Sequence, residues 1–94
     1  MYGTNVMLLL NALVQGESTI DSLISKIYEL SSVRLSRSSA YVQLDRLERE
    51  GLASSRLGDA TDKRGRKRRF YKISANGIAY LAQFDAVRGG VSLA

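Results

Sequence analysis

The sequence contains no cysteine and no histidine. The first absence excludes disulfides and thiolate metal sites and leaves the redox compartment unreadable. The second removes the commonest general base together with the commonest metal ligand. No motif joins a hydroxyl nucleophile to a base, no glycine-rich loop runs correctly into a helix, and the carboxylates are scattered. Catalysis, a metal and a cofactor are therefore not expected. Long apolar runs are missing as well: the longest, Val6 to Leu10, is far too short to span a bilayer or to form the apolar part of a signal peptide. The expectation is a soluble cytoplasmic protein with no membrane partner.

What is present points elsewhere. A chain of 94 residues that is 45% hydrophobic makes one domain with a thin core, and dimerisation is a common way for such a domain to bury more surface. The net charge of +5 is concentrated: residues 1–62 carry six basic and eight acidic groups, residues 63–72 carry seven basic and none acidic, and the rest carry one of each. Any polyanion contact should centre on "KRGRKRRFYK".

The pattern around that segment predicts a mainly α domain with a small β-hairpin. Thr4 to Gln15 is a short helix, apolar on most sides, ended by Gly16. Thr19 caps a second helix whose stripe is Ile20, Leu23, Ile24, Ile27 and Leu30. Val33 and Leu35 alternate as in a very short strand. Ser36 caps a third helix that stops at Gly51, with Ala40, Leu44 and Leu47 on one face and Ser38, Val42, Asp45 and Arg49 opposite. Leu52 to Leu57 reads as a strand, "GDATDKRG" as a turn, and "RKRRFYKI" as the returning strand, with Tyr71 and Ile73 facing inward. Ser74 caps a last helix that ends at Gly89–Gly90, with residues 89–94 as a disordered tail. The order helix, helix, short strand, helix, strand, strand, helix is that of a winged helix-turn-helix domain over residues 1–88, the basic run forming the wing.

With those elements in place, "LSRSSAYVQLDRLEREGLASS" and "GRKRRFYKIS" followed by "ANG" resemble the PadR-like family of winged-helix transcription regulators. Ser36, Ser39, Tyr41, Leu44, Arg46, Leu47, Glu48, Gly51 and Leu52 fit the family's third-helix pattern. Gly65, Arg66, Lys67, Arg68, Phe70, Tyr71, Lys72, Ile73, Ser74 and Gly77 fit its wing. Val42 stands where the family has proline, "STID" replaces its His-Gly-Tyr-Glu, and these 94 residues are not expected to include the long C-terminal domain of many members. The resemblance implies a homodimeric DNA-binding regulator, usually a repressor on a palindromic operator, with the third helix in the major groove and the wing on backbone or minor groove.

The candidate DNA contacts are Arg37, Ser38, Ser39, Tyr41, Val42 and Arg46 on the third helix and Lys63, Arg64, Arg66, Lys67 and Arg68 on the wing. Hydrogen-bonding side chains suit base edges, and flexible arginines suit phosphates. Arg69 and Lys72 lie deeper in the hairpin. The plainer alternatives are a solvated hairpin, and a solvent face carrying the pairs Arg46–Glu50 and Asp45–Arg49. Tyr41 is either a phosphate anchor or a packing residue against the wing. On the last helix Ile78, Leu81 and Ala82 face the domain, while Tyr80, Phe84 and Val87 form a second stripe expected at a dimer interface, with Met7, Leu9 and Leu13 supplying the other half. A small aromatic effector between Tyr80 and Phe84 has no motif to support it. The localisation expected of such a regulator is a bacterial-type cytoplasm, associated with the nucleoid; rival functions on the same scaffold are a plasmid or phage replication or architectural DNA-binding protein, and an RNA-binding winged helix.

Overall fold

The computed structural model describes residues 4–61 and 64–83. Helix α1 spans Thr4–Val14, α2 Ile20–Ser31 and α3 Arg37–Arg49; strands β1 (Ala53–Thr61) and β2 (Lys67–Ile73) form an antiparallel hairpin, and residues 75–83 are helical (α4). No helix among the described residues is long and apolar enough to cross a membrane.

Helix α1 is central, as its composition requires: Val6, Leu9, Leu10, Ala12 and Leu13 are all buried. Onto it pack Ile20, Leu23 and Ile27 of α2, Ala40, Leu44 and Leu47 of α3, Tyr71 and Ile73 of β2, and Leu81 of α4. Leu9 and Leu13 are therefore core residues and not part of a dimer surface; α1 has neighbours on too many sides to spare them. The stripe of α2 ends early as well. The chain turns away at Ser32, which adopts a left-handed conformation at φ 61°, and Leu30 is left 57% exposed in the last turn.

Caps fix the helix ends where the sequence places them. The Thr19 hydroxyl accepts from the Ser22 N–H at 3.3 Å, and the Ser36 hydroxyl accepts from the Ser39 N–H at 3.1 Å; each such cap contributes about 1 kcal/mol. α3 stops in a Schellman arrangement: the Leu52 N–H donates to Leu47 O at 2.8 Å and the Gly51 N–H to Glu48 O at 3.0 Å, with Gly51 at φ 75°.

The hairpin pairs Ala53 with Ile73 through Leu57 with Arg69, then passes an irregularity before Thr61 pairs with Lys67. β1 thus runs four residues beyond the expected Leu57, through Gly58, whose backbone lies so close to the Phe70 ring that a Cβ there would sit 2.2 Å from it. Val33–Leu35 forms no strand. The open edge of β2 is taken by Ser18, whose backbone exchanges bonds of 2.9 and 2.8 Å with Tyr71; Leu35 contributes a buried side chain instead.

α4 is set by contact between Gly77 and the backbone of Leu52. A Cβ on Gly77 would stand 2.2 Å from Leu52 O. This approach turns residues 77 and 81 inward, so Ile78 is 54% exposed and Ala82 is exposed, contrary to the expected inward stripe. Tyr80 is half-buried and packs against the core. Phe84, Val87 and the expected 89–94 tail lie outside the described residues.

Gly77→Ala should therefore lower folding stability by about 1–3 kcal/mol, because the obstructing atom is backbone and cannot rotate aside. A urea titration with an unchanged midpoint would show that α4 does not depend on this approach.

Candidate nucleic-acid interface

The burial of Ala40, Leu44 and Leu47 orients α3. Arg37, its first residue, and Ser38, Tyr41 and Val42 consequently point outward, with Val42 70% exposed at the middle of the face. Arg46 pairs with Glu50 at 3.5 Å and Arg49 with Asp45 at 2.6 Å, the i,i+4 contacts expected of the C-terminal half. Exposed pairs of this kind contribute only about 0.3–0.5 kcal/mol each, so burial of the opposite face is what holds the helix down. Ser39 sits half-buried on the flank, where its hydroxyl accepts from Gln43 Nε2 at 2.9 Å while its N–H serves the Ser36 cap.

In the wing, Gly65 turns the chain at φ 79°, and Arg64, Arg66, Lys67 and Arg68 are exposed. Lys63 lies outside the described residues. Arg69 is drawn back into the hairpin, donating to the Ser55 hydroxyl at 3.0 Å, which in turn donates to Glu48 Oε2 at 3.0 Å.

These two parts meet in one cleft of about 540 Å³, lined by Arg37 and Tyr41 of α3, Thr19, Ile20 and Asp21 at the start of α2, and Leu57, Tyr71 and Arg66 to Arg69 of the hairpin. Tyr41 is 45% exposed and lines the cleft beside hairpin residues.

Asp21 was not legible as part of this site. The N-terminal half of α3 has no acid of its own, yet the Arg37 guanidinium donates to the Asp21 carboxylate across the turn from α2. Arg37 also reaches the Tyr41 hydroxyl at 3.4 Å, with its guanidinium carbon 5.9 Å from the ring centre. The Tyr41 hydroxyl, followed by the Asp21 carboxylate, raises the Arg37 pKa. Arginine is protonated in any case, so the consequence is orientation rather than charge. In sequence Asp21 signals only a favourable acid in the first turn of a helix.

A second contact ties the wing to the helices. Arg56 donates to both Glu17 oxygens, at 3.0 and 2.6 Å, and its guanidinium lies 5.0 Å from the centre of the Phe70 ring. The hydrogen bonds from Arg56 hold the Glu17 carboxyl below its ordinary 4.5, against a smaller upward push from burial.

The sequence matches the transcriptional regulator PadR-like family over residues 9–83. Among solved structures, a PadR-like transcriptional regulator from Bacillus cereus is 27% identical, with 95% of this chain and 86% of that chain covered at a TM-score of 0.73. A PadR family transcription regulator from Clostridium difficile has the same fold at 19% identity and a TM-score of 0.77, covering 96% of this chain and 92% of that chain. Bacillus subtilis PadR, solved in complex with operator DNA, superimposes at a TM-score of 0.76 and 21% identity over 87% of this chain and 46% of that chain. No curated protein sequence matches significantly.

A carboxyl with a depressed folded pKa adds stability above its unfolded value and loses it as pH falls through the folded one. Acidification below pH 4.5 should thus loosen the hairpin of the wild type, measured by amide exchange, more than that of Glu17→Gln. Identical acid profiles would remove the Glu17–Arg56 contact from the account of how the wing is held.

Proposed function

The chain belongs to the transcriptional regulator PadR-like family, a family of transcription regulators rather than enzymes, and on that premise we propose that it is a sequence-specific repressor that binds a palindromic operator as a homodimer. The observation that carries the reading is the single cleft lined both by the exposed start of α3 and by the arginines of the wing. A helix of this exposure fits a major groove, and a basic hairpin beside it reaches the flanking backbone.

The roles divide by chemistry. Arg37, Ser38, Val42 and Arg46 face base edges; Tyr41 and Ser39 serve phosphate at the start of α3, where the helix dipole favours an anion. Lys63, Arg64, Arg66, Lys67 and Arg68 neutralise backbone phosphates and release counterions. The second copy is recruited by Tyr80, Phe84 and Val87, the apolar stripe that the spacing of the sequence predicts. Two-fold symmetry then spaces the half-sites by about 10 bp or a multiple of it. The protein acts on the bacterial nucleoid, in the cytoplasm.

Fluorescence anisotropy against the duplex upstream of the gene, a mixed-sequence duplex and RNA tests this at several salt concentrations. A salt-dependent preference for the upstream duplex is expected. Equal binding to all duplexes would favour an architectural role, and preference for RNA would reverse the reading.

Arg37→Ala should cost about 1–3 kcal/mol of specific binding and relax base preference. Arg66→Ala with Arg68→Ala should weaken all duplexes alike and flatten the log–log salt slope by about 0.9 per lost phosphate contact. Wing variants that changed base preference and left the slope intact would overturn this division.

Phe84→Asp should give a monomer by sedimentation and reduce affinity for a two-half-site duplex by about 10²- to 10⁴-fold, the avidity of a linked second site. A dimer unaffected by this change would move the interface elsewhere.

A further inference from the structure

The Asp21–Arg37 contact does not behave as an ordinary stabilising ion pair. Its side chains are 71% and 57% exposed respectively, and pairs so exposed contribute little to folding. Nor does it serve affinity. Asp21 lines a cleft otherwise edged by Arg66, Lys67, Arg68 and Arg69, and a carboxylate there repels the same phosphates that those residues attract.

What the contact does accomplish is geometric. Arg37 is the first residue of α3, where a free side chain of its length would sample many rotamers and settle readily on any nearby phosphate. Instead its guanidinium is held from two directions, by the Asp21 carboxylate on α2 and by the hydroxyl and ring of Tyr41 one turn along α3. Two of its five N–H donors are engaged in this way, which leaves others for a planar acceptor pair such as the O6 and N7 of guanine.

Resting on the DNA-binding reading above, we propose that Asp21 is a positioning residue for specificity: it aims Arg37 at a guanine edge and, by its own charge, weakens binding to every duplex that lacks that guanine. Pre-fixing the guanidinium lowers the ordering cost of the correct contact. The carboxylate supplies the repulsive element against the incorrect ones.

Selection from a randomised duplex library, run in parallel with wild type, Arg37→Ala, Asp21→Asn and Asp21→Glu, tests the proposal. Wild type should recover a motif with a guanine in each half-site, and Arg37→Ala should randomise that position. Asp21→Asn should blur the same position, with preference for guanine falling about tenfold, while its binding to mixed-sequence duplex rises severalfold. Asp21→Glu, which keeps the carboxylate, should keep the preference. Three results overturn the proposal alone: a full-strength motif from Asp21→Asn, a uniform loss at all positions accompanied by a lower melting temperature, or a motif indifferent to Arg37→Ala. A wild type that recovers no motif removes sequence-specific binding itself, and this role for Asp21 with it.

Discussion

The backbone exchange between Ser18 and Tyr71 is the interaction on which the arrangement of the rest depends. A two-stranded hairpin is marginal by itself, and here β2 is held on both edges, by β1 along its length and by Ser18 at one position. The Tyr71 side chain is buried at that point, and burial raises its hydroxyl pKa. Ser18 is itself buried and fully engaged, its hydroxyl donating to Gly16 O at 3.0 Å and accepting from Lys26 Nζ at 2.6 Å. The turn between α1 and α2 thereby becomes the seat of the wing. That seat acts together with the Ser55–Glu48 bond from β1 to α3 in holding the basic arm beside the third helix.

Charge on the surface follows a similar economy of placement. The positive residues of the wing are exposed at its tip, and nearer the core Arg69 bonds Ser55 while Arg56 engages Glu17 and the Phe70 ring. Among the described residues that line the cleft, the acidic one, Asp21, faces Arg37 of α3. The cleft thus carries the arginines of the wing on one side and the Asp21–Arg37 pair on the other.

Much of this was legible in the sequence because local rules and the fold agree. The caps at Thr19, Ser36 and Ser74, the stop at Gly51, the buried triplet of α3 and the inward Tyr71 and Ile73 all follow from spacing and residue type. What spacing could not give is the rotation of one element against another. Ile78 turns outward, against its expected packing, because a glycine touches a carbonyl twenty-five residues away in sequence. Val33 and Leu35 alternate like a strand, but the edge they would occupy is already filled by Ser18. Asp21 escapes for the same reason, since its partner lies sixteen residues along. The family resemblance, by contrast, rested on third-helix and wing motifs within one contiguous stretch, and the match over residues 9–83 agrees with it.

The junction between α3 and α4 has a mechanical meaning. The Ser74 hydroxyl donates to Gly51 O at 2.6 Å and accepts the Gly77 N–H at 3.0 Å, while the Ser74 N–H donates to Leu52 O at 3.0 Å. The end of one helix and the beginning of the other are therefore joined through Ser74 by three hydrogen bonds. A tilt of α3 is transmitted to α4 as the tilt of a bracket is transmitted to its arm. The direction in which α4 leaves the domain is therefore set where α3 ends, by one serine and two carbonyls.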